Sequence, residues 1–311
     1  MRRKDVAECV EIVAANPVTA HRYGKVITDL CRVWLRLLGR EAFRAFVFEE
    51  SENTHFLTFG TCATAFVSDE FLTGLKTPPF TWIGPELVRR VMQGNPPLLS
   101  DREVREANSN GGLNLVVWEA MTPASYMGRR EVLEAYFTEY FEQHRGFLLK
   151  EMLTQSQTAE VMEGQLRSGG FLVDERGDYM EVVHRSLNEI ASKPHIVGLS
   201  RDMAFRHWGT WMSRLFIYHA PRFGFRPSER RLLLKALRGG TDEELADEIV
   251  ISLSAVKKAW QLIYQRVSAC DPELVPDAHM DEGNPERGKT KKQHLLAYLR
   301  EHIEELRPAA P

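Results

Sequence analysis

The chain has 311 residues, of which 43% are hydrophobic and 27% charged, and its 40 basic and 43 acidic side chains give a formal charge of −3. This composition can fill a sizeable core and excludes wholesale disorder. It also excludes a uniformly basic nucleic-acid coat, but not a local basic face.

At roughly 150 residues per domain the length predicts two domains. Residues 22–38 place Val26, Ile27, Leu30, Val33, Trp34, Leu37 and Leu38 on one broad helical face, with Gly39 as the stop. Ala42 to Phe48, His55 to Phe59 and Cys62 to Val67 are aromatic and β-branched and predict strands around Gly60. Pro85 to Met92 predicts a helix opened by proline. Pro97 to Asp101 and Leu113 to Trp118 predict two short strands, separated by the turn-rich Asn108 to Gly112. From Arg129 to about Arg167 the pattern is helical, and Phe171 to Val183 predicts a hairpin. An aromatic helix follows from about Arg201 to Tyr218, then a joint at Ala220 to Gly224. Residues 276–289 are rich in Pro, Gly and charge and predict a linker. Leu295, Leu296, Leu299, Ile303 and Leu306 mark a last amphipathic helix.

The order of elements in the first half, with the segment Gly94-Asn95-Pro96-Pro97-Leu98-Leu99-Ser100-Asp101, resembles a sensory domain of the GAF or PAS kind. The resemblance implies a small-molecule effector held between sheet and helices. No residue pattern identifies that effector or its contacts.

Phe225 to Cys270 is the most informative stretch. Pro227 opens a helix and Gly239-Gly240 closes it. Thr241 and Glu244 have the spacing of a capping box, and Asp242, Glu243 and Glu244 put acids in the first turn of the next helix. After Val250-Ile251, Ser252 is placed to cap a further helix. There Val256, Trp260, Ile263 and Val267 form one apolar stripe. Two helices joined by a tight turn describe a helix-turn-helix. From Leu253 to Val267 the charged residues are Lys257, Lys258 and Arg266, with no acid among them. A helix entering a groove lined by phosphates needs that asymmetry.

This stretch resembles the DNA-binding domain of LuxR-type (GerE-like) bacterial transcriptional regulators. The matching pieces are Phe225-Arg226-Pro227-Ser228-Glu229-Arg230, Gly240-Thr241-Asp242-Glu243-Glu244-Leu245-Ala246, Ile251 to Ala259, and Ile263-Tyr264-Gln265-Arg266-Val267. The resemblance implies that Lys257 meets a phosphate and that Ser254, Lys258 and Gln261 reach phosphates or base edges. Three positions depart from the family pattern. Arg226 replaces a capping threonine, and Ala255 and Ala259 replace a threonine and a histidine of the recognition helix. Either altered or lost DNA binding follows from the two alanines. Trp260 and Tyr264 fit a core stripe better than a stacking platform. Lys289, Lys291 and Lys292 read as a solvated charge run.

Other motifs carry less. Gly283 to Thr290 spells GxxxxGKT, but no strand leads into it and the few residues after it cannot supply a parallel sheet, so ATP binding is not expected. Cys9, Cys31, Cys62 and Cys270 form no CxxC and read as reduced thiols. The histidines form no metal-ligand spacing, and no catalytic motif stands out. No cofactor is expected. Trp82, Trp118, Trp208 and Trp211 read as core packing. No run of about 18 apolar residues predicts a membrane span, and Glu8 and Glu11 interrupt any signal-like start after Arg2, Arg3 and Lys4, so a cytoplasmic protein is expected.

The expected fold is an α+β N-terminal sensor-like domain of the GAF/PAS kind followed by an all-α C-terminal helix-turn-helix domain. The expected parts are a sensor region over 1–165, a connecting region over 166–222, the helix-turn-helix over 223–275, and a linker with a terminal helix over 276–311. The expected function is a homodimeric regulator that binds double-stranded DNA and answers to a ligand or partner. The alternative is a protein-interaction module whose helix-turn-helix no longer binds DNA. An enzyme in the N-terminal domain has no residue signature.

Overall fold

A computed structural model describes residues 1–52, 55–123, 125–126, 129–174, 176–180, 186–275 and 286–310. Most of the linker expected over 276–289, the start of the GxxxxGKT segment and His184 lie outside the described residues. The chain divides into two compact units, Met1–Ile217 and Tyr218–Pro311.

The first unit opens with α1 (Val6–Ala15), α2 (Pro17–Tyr23), a 3₁₀ turn and α3 (Leu30–Leu37). Asn16 caps α2, its side chain accepting from the Thr19 N–H at 3.1 Å, with Pro17 behind it. Residues 22–38 are therefore not one helix. Leu30, Val33, Trp34 and Leu37 nevertheless form the buried face that their spacing predicts.

Strands β1 (Phe43–Glu52) and β2 (His55–Val67) pair as an antiparallel hairpin. Helices α4 (Asp69–Lys76), α5 (Ile83–Met92) and α6 (Asp101–Ser109) come before β3 (Leu113–Met121). The strand expected over 97–101 is absent. Leu98 makes a single bridge to Val67, and Ser100 opens α6 in a capping box with Glu103.

The helix expected over 129–167 is three elements: α7 (Arg130–His144), β4 (Leu149–Thr154) and α8 (Ala159–Arg167). Gly146, at φ +80°, takes the chain out of α7 in a conformation that costs other residues more. Lys150, Glu151, Met152 and Leu153 are good helix formers. Burial decides against that preference, because all of β4 except Lys150 is buried.

Strands β5 (Phe171–Val173) and β6 (Tyr179–Met180) make the expected hairpin. Helix α9 (Leu187–Ala191), β7 (Val197–Ser200), α10 (Arg201–Arg206) and a 3₁₀ turn at Ser213–Phe216 complete the unit.

The strands form one sheet in the order β1-β2-β3-β4-β7-β5-β6. Among the described residues, only β3 and β4 run parallel. They join the antiparallel half β1-β2-β3 to the antiparallel half β4-β7-β5-β6. Their ladder reaches Val116↔Leu153 and pairs no further, although β3 runs on to Met121.

The expected fold is corrected on this point. A mixed sheet of seven strands spans residues 43–200, and helices occur throughout the chain. The division into a GAF/PAS-like α+β domain and a terminal all-α domain does not hold. Non-local pairing of β4 with β3 and β7 overturned it, and no window of sequence carries that pairing.

The second unit contains α11 (Pro227–Ala236), α12 (Asp242–Ile249), α13 (Leu253–Cys270), α14 (Glu286–Glu301) and a 3₁₀ turn at Ile303–Leu306. Phe223, Leu232, Leu233, Leu245, Val256, Trp260, Ile263, Val267, Leu295, Leu299 and Leu306 share its core. Glu305, itself buried, accepts the backbone N–H groups of Arg222 and Phe223 at 2.8 and 3.0 Å, fastening the end of the chain to the start of the unit.

Candidate functional site

The geometry of α12 and α13 follows from their caps. The Thr241 N–H donates to Glu244 Oε2 at 2.7 Å, and Thr241 Oγ1 accepts the Glu244 N–H at 3.2 Å. Helix α12 ends in a left-handed Val250, and the Ile251 N–H reaches back to the Ala246 carbonyl at 3.0 Å. Ser252 then caps α13, accepting the Ala255 N–H at 3.2 Å.

The apolar stripe of α13 is buried: Val256, Trp260, Ile263 and Val267 are at most 4% exposed. The opposite side is thereby turned to solvent. Ser254, Lys257, Lys258 and Gln261 are all exposed, at spacings of three and four residues that put them on one face. Lys257 and Lys258 have no ion-pair partner among the described residues.

Arg266 has another task. Its Nε pairs with Glu229 of α11 at 3.1 Å, and Glu229 is buried, so Arg266 fastens α13 to α11. Glu229 also accepts the Arg226 N–H at 2.7 Å, so the α11 start is closed with an arginine at the capping position. Trp260 is a core residue whose indole N–H donates to Asp242 at 3.2 Å. Lys292 pairs with the same Asp242 at 2.8 Å and lies 5.0 Å from the Trp260 ring centroid. It is thus a structural contact of the second unit rather than part of a solvated run. Ala255 is exposed on α13 and Ala259 half-buried, so neither offers a polar group.

The sequence assigned no effector contact. In the first unit the structure places Trp82, Trp118 and Trp211 in the wall of a cavity of about 1060 Å³. Trp208 is instead exposed and stacks on Phe205. The cavity lies where β3 and β4 part. It is lined by the ends of both strands and by residues of α2, α5, α7 and α8. Crevices beyond the carboxyl ends of parallel strands are the usual ligand places in open sheets.

Polar side chains brace the gap. Gln155 accepts the Ile83 N–H at 2.7 Å and donates to the Thr81 carbonyl at 2.8 Å. Gln157 donates to the Ala120 carbonyl at 3.2 Å, beyond the point where the ladder stops. His195 is buried below, with Nε2 accepting the Ser156 N–H at 3.0 Å and Nδ1 facing the Lys193 carbonyl at 2.8 Å. Burial lowers its pKa to about 4, so it is neutral at physiological pH. The one available signal for this cavity, a strand hidden in a helix-forming segment, is not a local one.

No group of three or more metal-ligating side chains is clustered among the described residues. No helix among them is long and apolar enough to cross a membrane. Neither the protein-family models nor the curated proteins give a match to this chain.

Proposed function

We propose that the chain is a DNA-binding transcriptional regulator that lays α13 in the major groove of duplex DNA. Ser254, Lys257, Lys258 and Gln261 make the contacts, and the cytoplasm is its compartment. The observation that carries this reading is their shared exposure on one face of a capped helix that bears no acid and two lysines without an ion-pair partner among the described residues. Lys257 and Lys258 neutralise phosphates, and Gln261 is suited to an adenine edge. A homodimer would present two such helices to half-sites about one helical turn apart. The first unit answers to an effector, which shifts DNA binding by its differential affinity for two states.

Selection from a random duplex pool tests the base-reading part. The full chain is expected to enrich one motif. Gln261→Ala is expected to relax it at one position by about 1–3 kcal/mol. An unchanged motif in the variant, or no enrichment by the parent, contradicts the assignment.

A second reading has its own support. Val250, Ile251 and Leu262 are exposed apolar residues in and after the turn, at 85%, 40% and 43%. A protein partner would cover them, and the helix-turn-helix would then be a scaffold without DNA. Binding of a partner protein with no salt-dependent DNA binding favours this reading.

A further inference from the structure

Glu119 lines the first unit's cavity. It is there because β3 carries a bulge. Ala63 pairs with Glu119 and Thr64 with Val117, which leaves Trp118 as the extra residue. The bulge brings two neighbouring side chains to the same partner. The Trp118 indole N–H donates to the Tyr23 hydroxyl at 3.1 Å, and Tyr23 also hydrogen-bonds Glu119. Gly84 of α5 makes room for this arrangement. A Cβ there would stand 2.2 Å from Tyr23 Oη and 2.9 Å from Glu119 Oε1.

Much of the wall is aromatic, and Glu160 and Arg214 are the other charged residues on it besides Arg22. Trp82, Tyr136, Phe137, Tyr140, Phe141 and Trp211 line it. Arg22 acts on the carboxylate through its charge, but its Nη2 is committed to the carbonyls of Ser156, Gln157 and Ala191 at 2.7, 3.3 and 3.2 Å. Its guanidinium lies 4.0 Å from the Trp82 centroid. Arg22 and Glu119 form no ion pair among the described residues. The carboxylate therefore has one hydroxyl partner and an oxygen left for a ligand. Rings and a half-buried carboxylate together suit an organic cation, which gains from both the charge and the ring faces.

We propose that this cavity binds an amphipathic organic amine, with the ammonium group on Glu119 and the apolar body between the aromatic residues of α7 and Trp211. This deepens the effector half of the reading above and is independent of its DNA-binding half. Burial also raises the Glu119 pKa to about 7, against the lowering effects of Tyr23 and Arg22. The other titratable groups facing it are Cys62 of β2 and Tyr136 of α7, both protonated at neutral pH. A bound ammonium would draw the carboxyl to its ionised form.

The test uses the full chain without DNA, read by the fluorescence of the wall tryptophans. The probes are 4-phenylbutylamine, 4-phenylbutanol and 4-phenylbutyrate. The amine is expected to bind at least tenfold more tightly than the alcohol, and the carboxylate no better than the alcohol. Glu119→Gln is expected to erase that preference to within about twofold while leaving the alcohol affinity in place, which shows the cavity intact. Gly164 lines the cavity and has open space where a Cβ would stand. Gly164→Phe is expected to weaken all the probes that bind at least tenfold. Equal binding of amine and alcohol, an amine preference that survives Glu119→Gln, no loss in Gly164→Phe, or no binding by any probe overturns the proposal. Because no DNA is present, none of these results bears on α13.

Discussion

Val250 is the residue whose local cost is most visible. It sits at φ 61° and ψ 54°, where a β-branched side chain is crowded against its own backbone, and it is 85% exposed. Nothing is gained from burying it. Asn tolerates the left-handed region, so Val250→Asn is expected to raise stability by about 1 kcal/mol, read as a higher chemical-denaturation midpoint. His195 sets a pH dependence. Its folded pKa lies near 4 and its unfolded one near 6.5, so the unfolded chain binds the extra proton between them. Its contribution is complete above pH 6.5 and is lost as pH falls towards 4. His195→Gln keeps an acceptor for Ser156 but does not titrate. Between pH 6.5 and 4 the parent is expected to lose up to about 3 kcal/mol relative to this variant in urea unfolding. Glu119 acts the other way. Its raised pKa means stability present below about 4.5 and lost as pH rises through 7. Comparing each single variant with the parent separates the two. At this scale the sequence was legible where periodicity decides orientation. The stripe Val256, Trp260, Ile263 and Val267 already puts Lys257, Lys258 and Gln261 on the other side. It was not legible that Arg266 spends its charge on Glu229, or that Lys292 pairs with Asp242, because those partners are distant in the chain.

The bulge in β3 and the first turn of α5 meet at Gly84. Gly84→Ala must displace Tyr23 or Glu119 and is expected to cost about 1–3 kcal/mol. Gly74, in α4, is exposed and has open space where a methyl group would stand, so Gly74→Ala is expected to add about 0.5–1 kcal/mol. Thermal midpoints moving in opposite directions check the pair. Elements with a strong period or clear turn residues were readable from the sequence: α5, α11, α12, α13 and the hairpin β5-β6, whereas β2, a single strand, was read as two around Gly60. Elements that depend on distant partners were not. Strand β4 is written in helix formers and exists because β3 and β7 flank it. Helix α6 has its capping box in plain sight at Ser100 and Glu103, but the apolar Pro97-Leu98-Leu99 in front of it reads as a strand.

At the scale of the molecule, the chain offers one unit with the seven-stranded sheet and a cavity and a second unit with an exposed basic helix face, each with its own core. Val250→Asn is expected to move only the unfolding of the second unit, and Gly84→Ala only that of the first, as separate calorimetric components. The proposed DNA recognition rests on the second unit alone, where it needs a short, local arrangement of caps, stripe and lysines. The cavity was hidden because its walls come from six separate stretches between Arg22 and Arg214. The most direct measurement is the salt dependence of duplex DNA binding by the full chain and by Lys257→Ala/Lys258→Ala, from about 50 to 200 mM. Each lysine that neutralises a phosphate contributes about 0.9 to the slope of log K against log salt, so the double variant is expected to bind more weakly with a slope smaller by about 2 per protomer. Equal slopes for the two proteins, or no duplex binding by the parent even at the lowest salt, would contradict the account.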